Sequence, residues 1–307
     1  MAKIVAGIGT SHTPAIGAAV DNGRTAEPYW VPVFAGYEPS KRWMAETAPD
    51  VAIVVYNDHV NAFDFKIIPT FGLGCAAEFP IADEGWGPRP VPPVAGYPEL
   101  AAHMVQSLVL DEFDMTIVNE MQLDHGLTVP LTLLYGQPKA WPVRVIPLAV
   151  NVVQYPAPTG HRCYALGKAI KKAVESWHED LKVVIFGTGG MSHQIQGPRA
   201  GLINTKFDTA FLDGLADEPE RLASIPPLKY LRDAGAEAIE LVMWLIMRGA
   251  LGPRAREVRR FYHVPASSTA VGHIVLEAVG GRAPKSGAKA KSRAARVKKK
   301  AKPRTRR

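Results

Sequence analysis

Val51-Ala52-Ile53-Val54-Val55-Tyr56-Asn57-Asp58-His59 opens with six apolar residues, most of them β-branched or aromatic, and then turns abruptly polar. A short apolar run without alternation fits a strand buried on both faces, as in a parallel sheet covered by helices on either side. A second run, Ile4-Val5-Ala6-Gly7-Ile8-Gly9-Thr10-Ser11-His12, has the same design and also ends on histidine. In open α/β sheets ligands bind in the crevice beyond the carboxyl ends of the strands. Imidazoles delivered there from two strands can therefore converge on one metal ion.

Similar runs recur at Met115–Asn119, Val143–Val150 and Lys182–Phe186. Helix-like stretches at Glu38–Ala48, Tyr97–Glu112 and Gly160–Trp177 separate most of them. The alternation predicts an α/β fold: a mostly parallel or mixed sheet, helices on both faces, and an active site at the strand carboxyl ends. Beyond Phe186 the chain reads as helical, over Thr205–Leu215 and then Leu228–Arg248, with Pro226-Pro227 as a start and Gly249 as a stop. The second helix is apolar nearly all round and so reads as buried, yet it contains Glu237 and Glu240. A buried carboxylate must be neutralised, paired or metal-bound, and Glu240, directly before Leu241-Val242-Met243-Trp244, is the stronger candidate. The Pro- and Gly-rich segment Phe71–Pro98 has no clear periodicity and is a candidate pocket wall.

With 307 residues, 47% of them hydrophobic, the chain can bury a substantial core. It has no apolar stretch of about 18 residues and no basic-then-apolar start, so it is expected to be cytoplasmic. Cys75 and Cys163 are too few for a disulfide framework and read as reduced thiols. The net charge of +7 is concentrated at one end, because positions 282–307 carry 13 Lys or Arg and no acid. The remainder, 23 basic against 29 acidic residues, is acidic. The expected organisation is a catalytic domain over 1–281 and a disordered basic tail over 282–307, divided near Gly280-Gly281. The tail reads as a solubilising appendage, with binding to nucleic acid or an anionic surface as the other reading; nothing in 1–281 resembles a groove-reading helix.

His12, His59 and Glu240 supply two imidazoles and a carboxylate, the donor set that suits non-haem Fe(II) working on dioxygen. Zinc and manganese accept the same donors, and such trios also arise without a metal, with the histidines in turns and the glutamate against an arginine. Phe186-Gly187-Thr188-Gly189-Gly190-Met191-Ser192-His193 runs from a strand through a glycine turn onto a third histidine. The glycines permit close backbone approach to a ligand, and an imidazole can move a proton either way near neutral pH. Its spacing fits neither common phosphate-loop pattern. Asp124-His125-Gly126 follows the Met115–Asn119 run and adds a fourth histidine at the expected edge. His103, His161, His178, His263 and His273 read as surface or packing residues.

Several long strings carry a resemblance to a known family. They are Ser11-His12-Thr13-Pro14, Tyr56-Asn57-Asp58-His59, Ala82 through Pro92, Asp111 through Ile117, Gly187 through Gly201 and Glu240 through Leu251. Together they resemble the β subunits of the protocatechuate 4,5-dioxygenase type, class III extradiol ring-cleaving dioxygenases, over residues 1 to about 275. The resemblance implies Fe(II) held by His12, His59 and Glu240, with His193 as acid/base and His125 bonding substrate or intermediate. It implies a substrate-binding role for Asn57 and for Ser267, in the Ala266-Ser267-Ser268 turn. It further implies O2-dependent opening of protocatechuate to 4-carboxy-2-hydroxymuconate semialdehyde, with gallate, 3-O-methylgallate or another catechol acid as alternative substrates. The implied assembly is α2β2, a small α subunit covering the pocket. A metal-bearing scaffold without oxygenase activity is the competing class, against which His193 and His125 both argue.

Overall fold

A computed structural model describes residues 1–279. The expected boundary at Gly280-Gly281 and the basic tail lie outside the described residues. From the N-terminus the elements are β1 (Lys3–Thr10), α1 (Pro14–Asp21), α2 (Val31–Thr47), β2 (Val51–Tyr56), β3 (Phe71–Gly74), β4 (Glu78–Phe79), β5 (Val94–Ala95) and α3 (Pro98–Leu110). There follow β6 (Thr116–Val118), α4 (His125–Tyr135), β7 (Arg144–Val150), α5 (Gly160–Glu175), β8 (Lys182–Thr188), α6 (Thr205–Asp217) and α7 (Pro219–Ala223). The chain closes with α8 (Pro227–Asp233), a 3-10 turn (Glu237–Glu240), α9 (Leu241–Ala250), β9 (Ala255–Ala266) and β10 (Thr269–Ala278).

Eight strands form one mixed sheet in the order β6-β3-β7-β2-β8-β1-β10-β9. The four central strands, β7, β2, β8 and β1, are mutually parallel, and antiparallel pairs flank them at β3/β7, β1/β10 and β10/β9. Every residue of β2 is buried, because its two faces pack into different halves of the core. Val51, Ile53 and Val55 join one cluster; Ala52, Val54 and Tyr56 join the other. The unbroken apolar run therefore reflects helices on both sides, as its sequence implies.

The first cluster includes residues of α3, α5, α6 and α9, and the second those of α1, α2 and α4. All ten residues of α9 are buried, Trp244 and Arg248 among the largest fully buried side chains. Arg248 satisfies its guanidinium with the carbonyls of Leu215, Ala216 and Gly252, at 2.8 Å each, in place of a carboxylate. Among the described residues no helix is long and apolar enough to cross a membrane.

Two expectations need correction. The helix read over Leu228–Arg248 is three pieces, broken at Gly235 (φ +104°), a conformation that side-chain-bearing residues rarely adopt. The end of the chain is not all helical either, because β9 and β10 form a hairpin that completes the sheet. The edge strand β9 carries Arg256, Arg259 and Arg260 with Pro265, and its mostly exposed or half-buried residues lack the apolar run of a central strand.

Trp244→Ala should cost about 3–5 kcal/mol of stability, the usual penalty for truncating a fully buried aromatic. Denaturant unfolding followed by far-UV circular dichroism checks this; a loss under about 1 kcal/mol would contradict the packing described.

Candidate metal centre

The carboxyl ends of β1, β2 and β8 lie side by side, and each is followed within a few residues by a histidine: His12 after Thr10, His59 after Tyr56, His193 after Thr188. Glu240 reaches the same place from the start of α9, where the helix dipole favours an anion. One donor atom from each of His12, His59 and Glu240 lies within 4.8 Å of the others. His12 Nε2 is 3.5 Å and His193 Nε2 3.9 Å from Glu240 Oε2, which also accepts the Gly190 N–H at 2.6 Å. Among the described residues Glu240 has no lysine or arginine partner. Burial disfavours its charge, but His12, then His193 and His59, hold its carboxyl down to about 2.

Both histidine ligand candidates are oriented from behind. His12 Nδ1 meets Thr188 Oγ1 at 3.0 Å, and His59 Nδ1 meets Asp124 Oδ2 at 2.9 Å, which turns each Nε2 toward the site. Asp124 is fully buried and does two further things: Oδ2 accepts the His59 backbone N–H at 2.7 Å, and Oδ1 caps α4 by accepting Gly126 N–H at 2.9 Å. For His59, desolvation opposes the charged form, yet the Asp124 carboxylate outweighs it and raises the imidazole to about 9. Asp124 itself is held well below the ordinary carboxylate range, His59 overcoming burial. Two imidazoles with committed Nδ1 atoms, converging on a buried carboxylate that has no Lys or Arg partner, fit a divalent transition metal.

A cavity of about 360 Å³ opens at this edge, lined by His12, Asn57, His59, His125, His193 and Glu240. Val152, Val153, Ile195 and Thr269 complete much of its wall. A larger hollow of about 1000 Å³ lies at the opposite, amino-terminal edge of the central strands, near Val51 and Arg144. It includes none of the donor clusters found among the described residues, which leaves the smaller cavity as the candidate site.

His125 opens α4 and stacks on His59, with ring centroids 3.9 Å apart. Burial, then the neighbouring His59, lowers its pKa. Glu84 accepts its backbone N–H at 2.9 Å and contacts its Nδ1. His193 Nδ1 donates to the Met191 carbonyl at 2.9 Å, so the nitrogen left toward Glu240 is Nε2. The amide of Asn57 lies 3.0 Å from His59 Nε2, and its Oδ1 is buried without a partner among the described residues.

The structure thus brings His12, His59, Glu240, His193, His125 and Asn57 together. Ser267 stays outside the cavity: it sits exposed in the β9–β10 turn (φ +57°), its N–H bonded to Tyr29 Oη at 2.7 Å. Two residues on, Thr269 bridges to His193 and lines the cavity in its place. His125 arrives by a different route from the one its sequence position suggests. β6 runs parallel to β3 and so opposite to β7, and the helix start at Asp124 returns the chain to the site edge. The glycine turn approaches the site's own residues, since a Cβ on Gly190 would come within 2.5 Å of the His193 ring. The Phe71–Pro98 segment contributes Glu84 behind His125 and none of the cavity lining. The sequence alone assigns no role to Asp124, Glu84, Thr188 or Thr269; of these only Asp124, an acid directly before a helix start, carries a local signal, as a cap.

A family profile described as the catalytic LigB subunit of aromatic ring-opening dioxygenase matches residues 6–272. Gallate dioxygenase of Pseudomonas putida is 44% identical over 197 residues, covering 64% of this chain and 58% of that protein. The 2,3-dihydroxyphenylpropionate/2,3-dihydroxicinnamic acid 1,2-dioxygenase of Mycolicibacterium paratuberculosis is 33% identical over 147 residues, 47% of this chain and 44% of that protein. Its namesake in Rhodococcus jostii is 28% identical over 206 residues, 66% of this chain and 61% of that protein. The chain therefore spans between 44% and 61% of the length of these relatives. An uncharacterized protein of Escherichia coli K12, JW3007, has the same fold, with a TM-score of 0.54 at 14% identity over 88% of this chain and 99% of that one.

Asp124→Asn should weaken divalent-metal affinity on the order of 10- to 100-fold by removing the anion behind His59. Competitive chelator titration measures it, and unchanged affinity would remove Asp124 from the site. With the Asp124 carboxylate raising it to about 9, His59 is expected to carry a proton at pH 7.5 in the metal-free protein, whereas a metal ligand must be neutral. Metal loading at pH 7.5 should release about one proton, and affinity should rise with pH up to about 9. Calorimetry in buffers of different ionisation enthalpy reads the proton count; zero release would contradict a protonated His59 in the metal-free protein.

Proposed function

The chain belongs to the LigB family of catalytic subunits of aromatic ring-opening dioxygenases, and on that premise we propose that it opens a catechol acid with O2, beside the hydroxyls, at iron(II) held by His12, His59 and Glu240. The observation that carries the proposal is the convergence of those three donors with His193 and His125 in a single cavity. Two imidazoles and one carboxylate leave adjacent coordination positions open, as non-haem iron oxygenases require. When bound, iron(II) would supply Lewis acidity toward the catechol and a path for electrons between catechol and dioxygen.

The protein's own residues account for the rest. His193, with Nδ1 committed to the Met191 carbonyl, presents Nε2 as a base that takes a phenolic proton and later returns it. His125, with Nδ1 directed at Glu84, offers its other nitrogen to the cavity as a hydrogen-bond partner for the reacting oxygens. The partnerless Oδ1 of Asn57 is suited to accept from a catechol hydroxyl, and Thr269 to hydrogen-bond the acid. Val152, Val153 and Ile195 form an apolar flank that limits water around the reacting ring.

Gallate is the favoured substrate, supported by the 44% identity to a gallate dioxygenase, against 33% and 28% for the two dihydroxyphenylpropionate enzymes. Protocatechuate, suggested by the sequence strings, is the second reading. Ile195 and Val153, both exposed, line the cavity. We assign this exposed surface to a small α subunit in an α2β2 assembly.

Glu240→Ala should lose iron on gel filtration, and full iron retention with full activity would remove Glu240 from the centre. His193→Ala should keep its iron and lose turnover by roughly 10²- to 10⁴-fold, the usual worth of one general acid/base. On a catechol-acid panel, kcat/KM for gallate should exceed that for protocatechuate; the reverse order would restore protocatechuate as the substrate.

A further inference from the structure

Asp208 lies in the first turn of α6 and is completely buried, and its hydrogen bonds among the described residues come from no lysine, arginine or histidine. Its carboxylate is satisfied by neutral donors alone. Oδ1 accepts the Ser192 N–H at 2.8 Å; Oδ2 accepts Ser192 Oγ–H at 2.6 Å and Tyr262 Oη–H at 2.8 Å. Burial pushes the carboxyl upward, opposed by these bonds and by the neighbouring His193. An unpaired buried anion is costly, and two hydroxyls and an amide spent on it call for an account.

Two of these bonds end on Ser192, in the segment that holds His193, and the third on the β9–β10 hairpin whose Thr269 bridges His193. Ser192 is the residue before it, and its Oγ also accepts the N–H of Asn204, the N-cap of α6, at 2.7 Å. On the other side of the same loop, Ser192 O accepts from Ala270 N at 3.2 Å, Met191 N donates to Ala270 O at 3.3 Å, and His193 bridges Thr269. Tyr262 lies on β9 and so ties the hairpin to the same carboxylate. The third wall is Gly235, where a Cβ would fall 2.0 Å from the His193 carbonyl oxygen. Met191, whose carbonyl receives His193 Nδ1–H, sits immediately before the doubly bonded Ser192.

We propose that Asp208 is a positioning residue: through Ser192 and Tyr262 it fixes the loop that makes Met191 O the acceptor for His193 Nδ1–H, and so keeps Nε2 free as the base. This rests on the role given to His193 above. Carboxylate identity matters because Asp208 faces donors only; an amide of the same shape would turn an N–H₂ group toward the Ser192 and Tyr262 hydroxyls.

The test is Asp208→Asn, with Tyr262→Phe as a milder variant that deletes a single donor. Nitrogen-15 imidazole spectra of the metal-free proteins read the His193 tautomer, independently of turnover. In Asp208→Asn the His193 signal should move from one Nδ1–H tautomer to a mixture, with iron content unchanged. kcat should fall on the order of 10- to 100-fold while KM stays within about twofold, and Tyr262→Phe should move both readouts the same way by less. A folded Asp208→Asn or Tyr262→Phe with unaltered tautomer and kcat overturns the proposal, as does a kcat loss accompanied by equal loss of iron. A wild-type protein that opens no catechol ring would defeat the proposed function, and the tautomer readout would still decide the role of Asp208.

Discussion

A carboxylate buried at the edge of a sheet, without arginine or lysine to neutralise it among the described residues, is the constraint around which this protein is organised. Glu240 is the N-cap of a helix whose ten residues are all buried, so the packing of α9 fixes its backbone beside the strand ends. Its charge is balanced locally by imidazoles, one backbone N–H and the helix dipole. The packing energy of α9 thereby holds an anion where β1, β2 and β8 deliver their histidines. A cation completes the charge balance that burial of Glu240 sets up.

Each imidazole is fixed from behind by a different device. His12 leans on the hydroxyl of Thr188, at the end of the neighbouring strand; His59 leans on a carboxylate that also caps α4; His193 leans on the carbonyl of Met191. In each case the partner commits Nδ1 and turns Nε2 toward the cavity. The site is built on strand ends and helix starts, elements whose own packing restricts their movement.

The central sheet was legible in the sequence because its strands are buried on both faces, and the apolar run of β2 ends at the very residue the sequence suggests, Tyr56. His12, His59, His193 and Glu240 were legible because each stands at the boundary of a strongly apolar segment. The hairpin β9–β10 was not, since an edge strand rich in arginine carries no continuous apolar signal. The break at Gly235 was hidden for another reason: it answers to a tertiary contact, the approach of the His193 carbonyl. Thr269 in place of Ser267, and the partners Asp124, Glu84 and Asp208, depend on which chain segments the fold brings behind the histidines. No local pattern around them encodes that.

The central claim is ring opening by dioxygen at iron(II) within the His12, His59 and Glu240 set. It is tested most directly by loading the protein anaerobically with iron(II) and gallate, then admitting a measured amount of oxygen. Oxygen and gallate should disappear mole for mole, with a ring-opened product and no hydrogen peroxide. Peroxide release in place of ring opening, or no oxygen consumed with gallate or protocatechuate, would contradict the account.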